Sequence, residues 1–157
     1  MARDRAWIDP LFWIVTLWQA AHMVKLVLQS IAFAIAAMAL NVACAFLWVA
    51  IYSHLIAPGQ SEAAYEAYAM RATPWSAIIA GIPILFGAGW LLARWHGGGW
   101  RTGIGVAIAY AAMDFLILLA FNALLVMPGI VLLSDATKLA AAALGGRIAA
   151  RRAIAAS

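Results

Sequence analysis

Four polar side chains lie in the second half of a chain that is otherwise strongly apolar. They are Asp114, Asn122, Asp135 and Lys138, in a sequence that is 68% hydrophobic and only 10% charged. A charge at the centre of a membrane helix costs about 2.5 to 3.5 kcal/mol on insertion scales, so it is tolerated where it is paired or faces water. We therefore expect these four residues to form one inward-facing polar cluster within the membrane.

A chain reversal predicted at Pro128 brings the members of this cluster together. Proline cannot continue the helical hydrogen-bond ladder, so the apolar segment before it and the one after it fold against each other. Asn122 then lies opposite Asp135. Lys138 lies about one helical turn from the level of Asp114, a gap that the long lysine stem can close.

Asn41 extends the cluster to the first apolar segment. Counted from the same membrane face, it lies at nearly the depth of Asp114. Hydrogen bonds between membrane helices contribute on the order of 0.6 to 2 kcal/mol, so a bond from Asn41 to Asp114 is a reasonable expectation.

A second group of candidate residues lies in the longest polar connection, residues 54–75. These are His54, Glu62, Tyr65, Glu66 and Arg71. Glu62 and Glu66 are four residues apart and share one helix face, as pairs of carboxylates do in metal sites. A metal or catalytic site needs more ligands at fixed positions than this loop guarantees, so a solvated amphipathic cap is favoured.

The remaining chemistry-bearing residues do not assemble into a recognisable site. His22 lies among tryptophans and could ligate haem or a chlorin, but no second ligand at useful spacing is visible. Cys44 is the single cysteine, which excludes an internal disulfide or a CxxC site. The sequence has no GxSxG, HExxH or phosphate-loop pattern, so we assign no catalytic residue, metal ligand or cofactor.

The apolar segments that position these residues predict an all-α integral membrane protein. We expect one membrane domain over residues 1–157, a four-helix transmembrane bundle with an N-terminal interfacial helix, because each segment can cross about 30 Å of hydrocarbon. The predicted spans and connections are an interfacial or extended helix at 10–24, spans at 27–53, 76–94, 103–127 and 130–148, an external loop with a short helix at 54–75, a cytoplasmic loop at 95–102 and a cytoplasmic tail at 149–157. For the last segment, a helix lying on the membrane surface is the alternative.

Small residues predict where these helices pack closely. Ala77 and Gly81 are four residues apart in the second span, and the last span carries the pairs Ala141 with Gly145 and Ala142 with Gly146. Such pairs let neighbouring helix backbones approach each other. Pro83 is expected to kink the second span.

The charge distribution predicts orientation and location. The formal charge is +4, and the basic residues lie at segment ends rather than in a continuous stripe, which argues against nucleic acid as a partner. The positive-inside rule places both termini in the cytoplasm. The Ala- and Trp-rich, Lys-poor composition fits a bacterial inner (cytoplasmic) membrane.

These features support more than one function. Small size and the lack of a reactive constellation favour an accessory, assembly or interaction subunit without catalytic activity. Its partners would be the lipid bilayer and a larger membrane complex or a second copy of the chain. The alternative is a small proton-coupled transporter that uses Asp114 as its titrating group. A membrane enzyme acting through His54, Glu62 and Glu66 ranks last.

Overall fold

The computed structural model describes residues 10–96, 98–120 and 128–155, and these residues are almost entirely helical. The helices are α1 (Pro10–Ile51), α2 (Glu62–His96), α3 (Gly99–Ala120) and α4 (Pro128–Ala155), with a π-helical turn at Tyr52–Ile56 after α1. All four α-helices are long and apolar enough to cross a membrane. The predicted all-α architecture with four such helices is confirmed.

Helix α1 is continuous through the point where the sequence suggested a division. It contains 42 residues and passes Lys25 without a break, because residues 11–51 include neither proline nor glycine. Residues 10–24 therefore extend the helix that contains the predicted first span. At 1.5 Å per residue, α1 is about 63 Å long, roughly twice the thickness of a hydrocarbon core.

Helix α2 also runs further than the sequence suggested. The short helix predicted within 54–75 and the span predicted at 76–94 belong to one helix, because α2 continues through Pro74 and Pro83 to His96. Two side chains serve backbone carbonyls around the first proline: the Thr73 hydroxyl donates to the Ala69 carbonyl at 2.7 Å, and the Ser76 hydroxyl donates to the Thr73 carbonyl at 2.9 Å. The carbonyl that Pro74 leaves without its helical donor is that of Met70, and neither of these two hydrogen bonds goes to it.

The four helices form an up-down-up-down bundle. Helix α1 runs parallel to α3, because Ser30 lies near Gly105 and Asn41, further along, contacts Tyr110. Helix α2 likewise runs parallel to α4, because Gly81 lies near Lys138 and Gly89 lies near Ala142. The turn between α2 and α3 lies at one end of the bundle, together with the first residues of α1 and the last residues of α4. We call this the basic end, after Arg94, Arg101, Arg147, Arg151 and Arg152, and the opposite end, which holds residues 52–61, the loop end.

Small residues hold α4 tightly against its neighbours near the basic end. A Cβ added to Gly89 or to Gly103 would overlap the backbone carbonyl of Ala142, and one added to Gly145 would overlap the carbonyl of Phe86. Ala142 itself is fully buried. The close packing predicted for the small-residue face of α4 is therefore present, and it brings the backbones of α2, α3 and α4 into contact around Ala142.

Candidate functional site

The side chain of Lys138 is buried in the middle of the bundle. It is 3% exposed, and its aliphatic stem lies against Gly81 on α2, where a side chain would leave no room for it. Its ammonium nitrogen is 3.4 Å from the hydroxyl oxygen of Tyr110 and 4.6 Å from the centre of that ring. A cation over an aromatic face is attracted by the ring quadrupole, most strongly where water is excluded.

Tyr110 connects Lys138 to α1. The Asn41 amide donates a hydrogen bond to the Tyr110 hydroxyl at 2.9 Å, and both side chains are buried. From the sequence we expected Asn41 to form a hydrogen bond with Asp114, which lies one helical turn further along α3. Tyr110 was missed, although a tyrosine four residues before Asp114 in an apolar span is itself a signal, because a buried phenol hydroxyl usually has a partner.

The charges around Lys138 are near one another but are not joined in ion pairs. Asp114 and Asp135 are the carboxylates that interact electrostatically with the Lys138 ammonium. Among the described residues, neither carboxylate forms a direct salt bridge with it. One Asp135 carboxylate oxygen and the Asn41 amide oxygen are buried without a hydrogen-bond partner in the same region of the bundle. Each of these oxygens therefore carries a cost of burial that no hydrogen bond within the described residues offsets.

A cavity of about 720 Å³ lies between the helices and extends from this cluster towards the loop end. Asn41, Asp114, Ser134 and Lys138 line its deep part, and Glu66, Arg71 and Thr73 line it near the loop end. The rest of its wall is mainly apolar and is formed by Ala69, Met70, Pro74, Ala77, Leu118, Ile130 and Val131.

The shape of the cavity follows from the helix contacts. The α2 residues that line the cavity run from Glu66 to Ala77, eleven residues further along, so the cavity follows α2 for about 16 Å at about 1.5 Å per residue. Beyond Lys138, towards the basic end, the contacts of Gly89 and Gly103 with Ala142 close the bundle. The cavity thus reaches the loop end and stops at Lys138.

The structure brings together residues that the sequence placed in two separate groups. Glu66 and Arg71, from the polar connection, line the same cavity as Asn41, Asp114 and Lys138. Asp135 is adjacent to the cavity residue Ser134 and interacts with Lys138. Asn122 lies outside the described residues, so its predicted place opposite Asp135 stays a prediction.

The other residues of the polar connection serve the turn at the loop end. The Tyr65 hydroxyl accepts a hydrogen bond from the Gln60 backbone at 3.0 Å and donates to the Ala57 carbonyl at 2.9 Å. The His54 ring lies 3.0 Å from the Ala50 carbonyl. Glu62 is in the first turn of α2, where a carboxylate favours the positive end of the helix dipole. None of these residues lines the cavity.

Aromatic side chains join α1 to α2 beside this turn. The rings of Tyr52 and Tyr68 stack with centroids 3.4 Å apart, and the Trp48 indole donates a hydrogen bond to the Tyr68 hydroxyl at 2.9 Å. These contacts hold the first part of α2, which carries Glu66 and Arg71, against the end of α1. They position the entrance of the cavity.

His22 has a histidine neighbour that the sequence spacing did not reveal. Its ring stacks on Trp18, and its centroid is 6.4 Å from that of His96 at the end of α2. The described residues include no group of three or more His, Cys, Asp or Glu side chains arranged to hold a metal ion. The two histidines mark the level at which α1 passes the end of α2.

Comparison with protein-family models, with curated proteins and with solved structures gives no match to this chain.

Proposed function

We propose that the chain is a small proton-coupled membrane carrier that binds its substrate in the cavity above Lys138, with Asp114 as the titrating group. The observation that supports this function is the cavity itself, which joins charged residues at the loop end to a buried lysine and a carboxylate in the middle of the bundle. Ionisable residues inside a membrane protein commonly line substrate or proton pathways.

The packing of the bundle is consistent with one state of an alternating-access cycle. The cavity is continuous with the loop end, and the contacts of Gly89 and Gly103 with Ala142 close the other half. Transporters expose a site near the midplane first to one side and then to the other. Movement of α4 relative to α2 and α3 would open the closed half, and Pro83, inside α2, is placed where that helix can bend.

The proposed setting is a bacterial inner membrane, with the basic end and both termini in the cytoplasm. The arginines near the α2–α3 turn and at the end of α4 support this orientation, because cytoplasmic segments are enriched in Lys and Arg. The cavity then faces the periplasmic side.

The carrier function is tested by transport into proteoliposomes. Vesicles with and without a proton gradient are incubated with a panel of amino acids, short peptides, monocarboxylates and quaternary amines, and the lumen is analysed by mass spectrometry. Wild type should accumulate one class when the gradient is present. Asp114→Asn should retain the fold but lose the accumulation that depends on the gradient. If folded wild type accumulates no compound of the panel, the carrier proposal fails.

A second function, the accessory or interaction subunit, is favoured by the first part of α1. Residues 12–25 extend towards and past the level of His96, and every side chain there except the half-buried Thr16 is exposed, including Trp13, Leu17 and Trp18. These apolar side chains would contact either lipid or another protein. A subunit should extract from native membranes in a complex of fixed stoichiometry that is lost in Leu17→Ser/Trp18→Ser. A carrier should extract as a monomer or homodimer in both forms, as measured by mass photometry.

A further inference from the structure

We infer that the ligand of the cavity is a zwitterion with an apolar side chain, of the kind found in hydrophobic amino acids and short peptides. This inference rests on the proposed binding function of the cavity and specifies the chemical class of its ligand.

Two opposite charges, those of Lys138 and Asp114, line the deep part of the cavity without pairing directly with each other. Lys138 and Asp114 interact electrostatically, yet in the described residues they are not joined by a salt bridge. The Lys138 ammonium contacts the hydroxyl and ring face of Tyr110, neither of which neutralises its charge. A ligand carboxylate at Lys138 together with a ligand ammonium at Asp114 satisfies both groups with charge-assisted hydrogen bonds.

The cavity presents charges of both signs to a ligand. Among the described residues, the ionisable side chains that line it are Glu66 and Arg71 near the loop end and Asp114 and Lys138 in the deep part, two of each sign. Asp135 is the further carboxylate that interacts with Lys138. A simple anion would be repelled by the carboxylates, and a simple cation by Lys138. A ligand that carries both charges meets a favourable partner for each.

The wall between the two polar ends of the cavity is apolar, and the cavity is large enough for a small molecule. Met70, Leu118, Ile130 and Val131 present apolar surface to the cavity, which suits an aliphatic or aromatic side chain. The volume of about 720 Å³ lies within the range of roughly 300 to 1,000 Å³ that small-molecule sites occupy. A purely polar zwitterion would leave this surface against water.

The inference is tested with dileucine and two neutralised analogues on purified protein in nanodiscs. Dileucine amide lacks the carboxylate, and N-acetyl-dileucine lacks the ammonium. Wild type should bind each analogue at least about tenfold more weakly than dileucine, the expected loss for one charge-assisted hydrogen bond. Binding is measured by titration calorimetry, with leucine as a shorter probe.

The variants should lose discrimination in opposite senses. Lys138→Met should no longer distinguish dileucine from its amide, while it still rejects the N-acetyl form. Asp114→Asn should no longer distinguish dileucine from the N-acetyl form, while it still rejects the amide. Lys25→Met, which removes the other, exposed lysine, should behave as wild type. If Lys138→Met does not fold, Gly81→Ala displaces the same ammonium and should weaken discrimination against the amide.

Two results overturn the inference. One is equal affinity of wild type for dileucine and both analogues, and the other is no binding of leucine or dileucine. If the transport panel then reveals proton-dependent accumulation of another class of compound, the carrier function stands and only the ligand class is wrong. If no class accumulates, the carrier function itself fails.

Discussion

Gly81 provides the space in which the side chain of Lys138 lies. A Cβ built on Gly81 would be 2.6 Å from Cε of Lys138 and 3.3 Å from its Cγ, well inside normal contact distances. The glycine therefore lets a long, charged side chain run along α2 to the hydroxyl of Tyr110. This relationship fixes the position of the cation that ends the cavity.

Gly81→Ala should move the Lys138 ammonium away from Tyr110. The chain has two lysines, Lys25 and Lys138, so selective ¹³C labelling of lysine Cε gives two assignable NMR signals. The Lys138 signal should be displaced in wild type by the ring current of Tyr110, and Gly81→Ala should move it towards the position of the exposed Lys25. Gly87→Ala is the matched control, because nothing lies within 4 Å of a Cβ added there. Identical Lys138 signals in wild type and Gly81→Ala would contradict the packing.

Gly89→Ala should strongly destabilise the bundle. Its new methyl group would overlap the backbone carbonyl of Ala142, which cannot rotate away as a lysine stem can. Overpacking of this kind typically costs about 1 to 3 kcal/mol. Gly87→Ala, two residues earlier on the same helix, should instead be neutral or stabilise by up to about 1 kcal/mol through helix propensity. Thermal unfolding in detergent compares the two, and equal melting temperatures would show that α2 and α4 are not packed this closely.

Tyr110→Phe should cost about 1 to 3 kcal/mol of stability, because the buried Asn41 amide and the Lys138 ammonium lose the hydroxyl that they contact. Tyr68→Phe also removes one hydrogen bond, from Trp48, but that bond is exposed and water can replace it. Its effect should be smaller. Adding Asn41→Leu to Tyr110→Phe should recover part of the loss in unfolding measurements. Strict additivity of the two changes would show that the side chains are not coupled.

Both termini should lie on the cytoplasmic side. The up-down-up-down order places the start of α1 and the end of α4 at the basic end. Green fluorescent protein fused after Ser157 should fluoresce in a bacterial host, and alkaline phosphatase at the same position should be inactive. Phosphatase inserted after Gly59, at the loop end, should be active. The reverse pattern would invert the proposed orientation of the cavity.

The helical architecture was predictable from the sequence, because it depends on strong, local features of the amino-acid pattern. Apolar segments of sufficient length identify membrane-crossing helices, and the small residues around Ala142 predict close packing. It did not predict that α2 continues through Pro74. Propensity predicts a helix end there, whereas α2 continues to His96, because tertiary packing of a helix can override a local preference.

The site was predictable in part. The cost of burying a charge identified Lys138 and Asp114, and depth counting placed Asn41 near them. Depth counting does not give the rotation of each helix about its axis, so the partner of Asn41 was assigned to Asp114 one turn away from Tyr110. The contact of Glu66 and Arg71 with the same cavity depends on the length and direction of α2, which only the fold supplies.

Cysteine accessibility in native membranes shows whether water and solutes reach Lys138 through the cavity. With Cys44 replaced by alanine, Ser134→Cys places a thiol on the cavity wall, and Leu132→Cys places one on the outer face of the same helix, where Leu132 is 71% exposed outside the bundle. A membrane-impermeant thiol reagent added from the periplasmic side should modify Ser134→Cys rapidly. Leu132→Cys should remain unmodified, because hydrocarbon excludes both the reagent and the reactive thiolate. Modification of Leu132→Cys but not of Ser134→Cys would contradict the account.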